Sequence, residues 1–406
     1  MKKKLWNKNF ILLLQGNAVS TIGDLMYSVA IGYWVYQQTG SSALMGIMSS
    51  ISMFVTMFLS PICGSIVDKC NRKWLMVGID AFQGLMMLGV GILAWQNALN
   101  VPIVLIAAFL ASFGSVFYSP SVSTLVLDII PHDDLVRGQS VQSGISSLIS
   151  LVGSGFSGAM VAFVGVPLIV VINGLSNLYS ALTECFIHVP RTLQQGLPVT
   201  VKGILRDMKK AIHTIFSNGC LKRFVPCALI LNLLAAGPMT LMLPFCMEKG
   251  FTVDMYGYLM AAATAGSLVS VAVLGIVKLS PKGRFWVMAL SFSTSVLFFT
   301  FSYFSTRFLP LCVLFFLGRM TNGAGNAVFN ASIMLALPEE NRSAIIGFIQ
   351  SACCGGTALS ALLYGMLGDV LPMYIVFAAG NFLSLLPMLY LCFHRQTKAF
   401  IITNDK

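Results

Sequence analysis

Twelve apolar runs, each long enough to cross a lipid bilayer, constrain this chain more than any other feature. Roughly 30 Å of hydrocarbon takes about 20 helical residues, and the runs lie at about 10–37, 42–66, 74–96, 102–130, 138–163, 166–188, 221–246, 254–277, 284–304, 308–337, 343–368 and 370–393. Inside hydrocarbon every backbone N–H and C=O must find its partner within the segment, so runs of this length read as α-helices. The expected fold is all-α and integral to a membrane, with twelve transmembrane helices. Composition agrees, because 57% of the 406 residues are hydrophobic and 10% charged, whereas soluble domains are roughly half apolar and a quarter charged.

The formal net charge is +11, which in a soluble protein would suggest a nucleic-acid partner. Here the basic residues sit between alternate runs. Lys2, Lys3, Lys4 and Lys8 precede the first, Lys69, Arg72 and Lys73 follow the second, Arg137 the fourth, and Lys278, Lys282 and Arg284 the eighth. Seven more lie between the sixth and seventh runs, Arg342 follows the tenth, and Arg395, Lys398 and Lys406 follow the twelfth, against only Lys249 and Arg307 on the other side. That asymmetry predicts that both termini are cytoplasmic. The surplus charge then faces anionic lipid headgroups, with no nucleic acid implied. The opening MKKKLWNKNFILLLQGN has a basic and apolar start, but no small-residue cleavage site follows, so it reads as a first span and not a cleaved signal. The ten cysteines and four histidines show no spacing for a metal or disulfide framework, and no phosphate-binding loop is present. No cofactor is expected.

The only long connection divides the runs six and six. It gives an amino-terminal half over 1–190, a linker over 191–220 and a carboxy-terminal half over 221–406. In the linker Val201, Ile204, Leu205, Met208, Ile212, Ile215 and Phe216 recur at helical spacing opposite Lys202, Arg206, Lys209 and Lys210, so it is expected to lie on the cytoplasmic leaflet as a tether. GSIVDKCNRKW after the second run has a degraded copy, GIVKLSPKGRFW, after the eighth. Such a repeat fits a transporter plan in which substrate binds near the midplane between halves.

GSIVDKCNRKW resembles the cytoplasmic loop signature G-x-x-x-D-[RK]-x-G-R-[RK] of the major facilitator superfamily, through Gly64, Asp68, Lys69, Arg72 and Lys73. Asn71 replaces the usual glycine, a mild change because Asn tolerates a left-handed backbone. The resemblance covers most of the chain and is strongest to the macrolide-efflux-type drug exporters, in GNAVSTIGDLMYSVAIGYWVYQQTGSS, FYSPSVSTLVLDIIPHDDL and LPEENRSAIIGF. It implies a major facilitator fold of two six-helix halves. It also implies a conformational lock of Gly64, Asp68, Arg72, Lys73 and Asp128, in which loop charges hold helix ends that alternating access must separate. In the fifth run Gly153, Gly155 and Gly158 stand where antiporters of the superfamily carry a glycine-proline signature, but Ser154 replaces the proline.

The first run carries an acid, Asp24. Asn17, Ser20, Thr21, Asp24, Tyr27 and Ser28 recur at spacings of three and four and share one helix face. A charge at the bilayer centre costs roughly 2.5–3.5 kcal/mol on insertion scales, so this face should meet a watery cavity or a partner. Intramembrane acids are usually functional; the alternative is a structural carboxylate satisfied by neighbouring hydroxyls. Arg319, Asn322, Asn326 and Asn330 form a similar stripe in the tenth run, where the arginine either faces the cavity or pins backbone carbonyls. The superfamily resemblance assigns the cavity to the first, fourth, seventh and tenth runs, adding Ser112, Ser115 and Ser119 from the fourth and Asn232 and Thr240 from the seventh. Asp80 and Glu184, within a few turns of the cytoplasmic ends, are read as part of the lock.

These readings lead to a secondary active transporter, not an enzyme. It is expected to be a proton-coupled exporter of amphipathic or hydrophobic compounds, monomeric, with the substrate, protons and membrane lipids as its partners. The alternative is a carrier or flippase of lysophospholipids, some of which also place an Asp after a glycine in the first helix.

Overall fold

The computed structural model describes residues 6–67, 70–130, 135–188, 216–217, 221–276, 281–336 and 342–393. The first six helices are α1 (Lys8–Thr39), α2 (Ser42–Val67), α3 (Arg72–Trp95), α4 (Val101–Ile129), α5 (Leu135–Val164) and α6 (Val166–Cys185). The remainder are α7 (Leu221–Thr240), α8 (Met242–Glu248), α9 (Val253–Ile276), α10 (Pro281–Phe304), α11 (Phe308–Ala336), α12 (Arg342–Gly368), α13 (Met373–Leu383) and α14 (Leu385–Phe393). No strand occurs among the described residues, and the all-α expectation holds.

Nine described helices are long and apolar enough to cross a membrane, or up to eleven if each of two bent pairs is one span. α1 is not among them. Its 32 residues are ample at about 1.5 Å each, but the stripe through Asn17, Thr21 and Asp24 lowers its hydropathy. The expected twelve therefore requires α1 and both bent pairs to be spans. One pair lies within α5, where Gly144–Gly153 and Phe156–Val164 meet at 45°, so this helix bends although Ser154 replaces the proline. Most of the expected linker, 191–220, lies outside the described residues; of it, Phe216 and Ser217 are helical.

Packing groups the chain into two compact units, Met1–Gln38 with Phe58–Ile204 and Thr39–Met57 with Leu205–Lys406. In the first unit α3 lies close on α6, since a Cβ at Gly84 would meet the Gly174 carbonyl oxygen at 2.9 Å. α1 approaches α6 equally closely, and a side chain at Gly23 would collide with Ser176. Phe10, Leu13, Met76, Leu125 and Ile187 fill the space where α1, α3 and α4 converge. Asn71 does not use the left-handed backbone that its position in the loop signature suggested. Its φ is −69°, and its side chain instead caps α3 by accepting from the Trp74 backbone N–H, which is what Asn does well before a helix.

In the second unit the first half of α2 packs against α12, and Asp369 beyond the end of α12 caps the start of α2. Its carboxylate accepts from the Ser42 backbone N–H at 2.6 Å and the Ser41 hydroxyl at 2.6 Å.

Both units contain a helix interrupted by proline, which removes a backbone donor and leaves the carbonyl four residues earlier without its partner. In α7 Pro238 leaves the Leu234 carbonyl, and the Tyr364 hydroxyl on α12 donates to it at 2.5 Å. Ser360, also on α12, accepts from the neighbouring Gly237 N–H at 2.7 Å. The span over Val225–Thr240 and Met242–Glu248 bends by 51° just beyond this point. In α4 Pro120 leaves the Val116 carbonyl, and the Cys63 thiol on α2 donates to it at 2.9 Å. Neighbouring side chains thus restore the bonding that hydrocarbon cannot supply.

Candidate functional site

The polar face of α1 meets a polar face of α6. Asp24 keeps exposed surface, but its carboxylate also meets the side chains of Asn177 and Asn173 on α6. Asn177 Nδ2 donates in addition to Asn173 Oδ1 at 2.5 Å, which ties the two amides into one group. Asn173 Nδ2 faces the same carboxylate and has no hydrogen-bond partner among the described residues. Along α1 the Thr21 hydroxyl donates to the Asn17 carbonyl at 2.6 Å and Ser28 to that of Leu25 at 2.8 Å. These hydroxyls are spent locally, while the buried Tyr27 hydroxyl has no hydrogen-bond partner among the described residues. Asp24 is therefore held by neutral amides, and such a group can take up or release a proton without breaking an ion pair.

On α4, Ser112 and Ser115 donate back to the carbonyls of Ala108 and Ala111, and Ser115 and Ser119 are exposed. The second unit carries the other expected residues. Arg319 on α11 is partly buried, its Nε has no hydrogen-bond partner among the described residues, and Tyr303 on α10 is near enough to interact with its charge. One turn on, Asn326 Nδ2 donates to Asn322 Oδ1 at 2.8 Å. Asn232 is turned toward α12: it donates to the Ala228 carbonyl at 2.9 Å and lies within reach of the Thr357 hydroxyl at 3.4 Å. Thr240 returns its hydroxyl to Ala236 at 3.1 Å. The side chain of Asn330 is outside the described set.

Of the expected lock, Gly64 lies in the last turn of α2 and Arg72 and Lys73 in the first turn of α3. Lys73 Nζ donates to the Cys185 carbonyl at 2.7 Å and stands 5.2 Å from the Trp74 ring centroid. Asp68 and Lys69 fall outside the described residues, as does the side chain of Asp128.

Asp80 and Glu184, also read as part of the lock, are both buried within the bundle, at 3% and 1% exposure, and the Tyr118 hydroxyl donates to Glu184 Oε1 at 2.9 Å. The sequence also held a signal that went unread. Asn173, Asn177, Ser180 and Glu184 recur at four, three and four along the sixth run, a polar stripe as regular as that of the first. Among the described residues, no group of three or more metal-ligating side chains converges.

Several known proteins are similar. Macrolide efflux protein A of Streptococcus pyogenes is 22% identical over 213 residues, 52% of this chain and 52% of the relative, so that match spans about half the relative's length. The multidrug efflux pump Tap of Mycobacterium tuberculosis is 22% identical over 378 residues, 91% of this chain and 89% of the pump. Among solved structures, an inward-facing, unoccupied bacterial homolog to the human lysosomal transporter Spinster superposes with a TM-score of 0.72 at 13% identity, covering 100% of this chain and 98% of that one. The nucleoside transporter NupG gives 0.73 at 14% identity, over 93% and 98%. At such identities these two speak for the fold alone. The sequence model of the Major Facilitator Superfamily matches residues 13–361, and the chain belongs to that superfamily.

Proposed function

We propose that this transporter exports amphipathic or hydrophobic organic compounds, of the macrolide and multidrug type for which its relatives are named, and that proton entry through Asp24 drives the export. The observation that carries the reading is the Asp24 carboxylate, which keeps exposed surface and is met by the amides of Asn177 and Asn173. Open to water, this carboxylate ionises. Enclosed in the membrane, its charge costs roughly 2.5–3.5 kcal/mol, so it crosses as the neutral acid and delivers a proton. Each charge moved inward is worth about 2.3 kcal/mol per 100 mV, enough for roughly fiftyfold accumulation at that potential.

In this reading Asn17, Thr21, Tyr27, Ser28 and Ser115 give the substrate path its polar contacts on the Asp24 side. Arg319, Asn232, Asn322 and Asn326 do so from the carboxy-terminal half. Residues 1–190 and 221–406 act as the two moving halves, tethered by 191–220, with both termini in the cytoplasm. Gly64, Asp68, Arg72, Lys73 and Asp128 hold the cytoplasmic helix ends between turnovers. The 22 methionines supply pliable apolar surface suited to varied substrates.

The test is substrate accumulation in proteoliposomes under an imposed pH gradient. Asp24→Asn keeps the shape of the protonated acid, so it is expected to bind neutral compounds and to lose gradient-driven accumulation. If the variant still concentrates a macrolide against its gradient in response to a pH difference, Asp24 is not the coupling group.

A further inference from the structure

Asp80 and Glu184 have no part in the export reading, yet they are the acids buried among the described residues. Asp80 lies on α3 and Glu184 on α6, helices held together at Gly84 and Gly174. The Tyr118 hydroxyl from α4 serves Glu184 Oε1 at 2.9 Å. Asp80 Oδ2 and Glu184 Oε2 remain enclosed without a hydrogen-bond partner among the described residues. Ser180, one turn before Glu184 and 0% exposed, turns its hydroxyl toward Asp80 and Tyr118, and that oxygen also has no hydrogen-bond partner among the described residues.

The cluster is short of hydrogen. A carboxylate only accepts, whereas a carboxylic acid also donates, so one added proton turns an orphan acceptor into a donor for its neighbours. Charge points the same way. Asp80 and Glu184 lie within electrostatic reach of one another, and Asp24 on α1 adds its negative charge to the field at Asp80. With water excluded, such repulsion is barely screened, and two enclosed carboxyls that feel each other's charge resist ionising together. The other titratable groups facing the cluster do not answer it. Tyr27 stands beside Asp24 on α1, and Lys73, two turns before Asp80 on α3, gives its ammonium to the Cys185 carbonyl at 2.7 Å.

We propose that Asp80, Glu184 and Tyr118 form a resident proton-binding site in the core of the amino-terminal unit, in which the two carboxyl groups share one proton. The site is separate from Asp24 and needs no substrate. While the proton is present, Asp80 and Glu184 together carry one negative charge; if it leaves, they carry two, and a further charge at Asp24 becomes costlier. The pair thus sets the electrostatic background against which Asp24 titrates.

The experiment is infrared spectroscopy of the full chain in lipid bilayers at neutral pH, reading the deuterium-sensitive C=O stretch of protonated carboxyl groups. The wild type is expected to show this band. It should persist in Asp24→Asn, shift in frequency in Tyr118→Phe, which removes one hydrogen bond, and vanish when Asp80→Asn and Glu184→Gln are added to Asp24→Asn, so that no band can come from Asp24. An Asp24→Asn variant without the band overturns the proposal, as does a band that survives the triple variant or ignores Tyr118→Phe. Should the triple variant not fold, the Asp24→Asn spectrum and Tyr118→Phe in that background decide alone. Failure of the Asp24 reading shows only in accumulation assays and leaves these spectra untouched.

Discussion

Tyr118 and Tyr364 both carry a hydroxyl across a helix contact, but they end on different kinds of acceptor. Tyr364 gives its proton to the Leu234 backbone carbonyl, and Tyr118 to the Glu184 carboxylate. The contrast extends to the surrounding units. In the unit of Thr39–Met57 and Leu205–Lys406, many buried or partly buried polar side chains are spent on backbone: Asn381 on the Val296 carbonyl at 2.9 Å, Ser50 on that of Ala358 at 2.7 Å, and Lys249 on that of Tyr303 at 2.6 Å. Arg319, Ser270 and Ser351 are exceptions, each with a buried polar atom that has no hydrogen-bond partner among the described residues. In the other unit acids and amides face one another, and Asp80, Asn173, Ser180 and Glu184 each retain a polar atom with no partner among the described residues. Side chains spent on backbone make a scaffold that is indifferent to pH. Side chains spent on one another leave groups able to exchange protons.

The largest expected effect comes from forcing apart the helices that carry the acids. Gly23→Leu would drive a side chain into Ser176 and toward Asn173, and overpacking a close contact costs about 1–3 kcal/mol or more. The variant should lose thermal stability sharply. Gly89→Leu, where an added Cβ meets nothing within 4 Å, should leave it nearly unchanged. Equal losses in the two would show that α1 does not depend on that approach to α6.

Tyr364→Phe comes next and tests the scaffold. It orphans the Leu234 carbonyl beside Pro238, at about 1–3 kcal/mol. The loss, read by thermal denaturation, should be the same throughout the neutral pH range. A loss that changed with pH would break the distinction between the units. Asp369→Ala is smaller: it removes the cap of α2, worth about 0.5–2 kcal/mol, and should loosen the first half of α2 in hydrogen exchange without moving the remainder of the second unit. If α2 exchanged no faster, its start is held by something other than the carboxylate.

Much of this was legible from hydropathy. The spans follow from apolar runs because hydrocarbon rewards length and composition directly, and the α1 stripe was visible because Asp24 drew attention to its spacing. The amides that meet Asp24 were not found, since Asn173 and Asn177 carry no charge and lie on a helix the superfamily does not assign to the cavity. The enclosure of Asp80 and Glu184 within the bundle was not legible either, because distance along a helix gives depth, whereas the face it presents depends on which neighbours pack there. Asn71 shows the same limit at the scale of one residue. Left-handed turn and helix cap both suit asparagine, and only the backbone angle separates them.

The smallest effect should come from the amino-terminal counterpart of Tyr364. Cys63 answers the Val116 carbonyl that Pro120 leaves open, at 2.9 Å, but a thiol is a weak donor. What it contributes lies below the roughly 0.5–1.5 kcal/mol net of an ordinary hydrogen bond. Cys63→Ala removes the donor and a small volume together, so Cys63→Ser is the sharper probe, since it keeps the size and supplies a stronger donor. Thermal denaturation should rank serine at or slightly above cysteine, and alanine below both by less than Tyr364→Phe falls below its own wild type. That order would mean that donor strength alone separates the two proline repairs. An alanine loss as large as that of Tyr364→Phe would instead mean that α4 leans on its repair as heavily as the strongly bent α7 does, and that the two units are built more alike than their acids suggest.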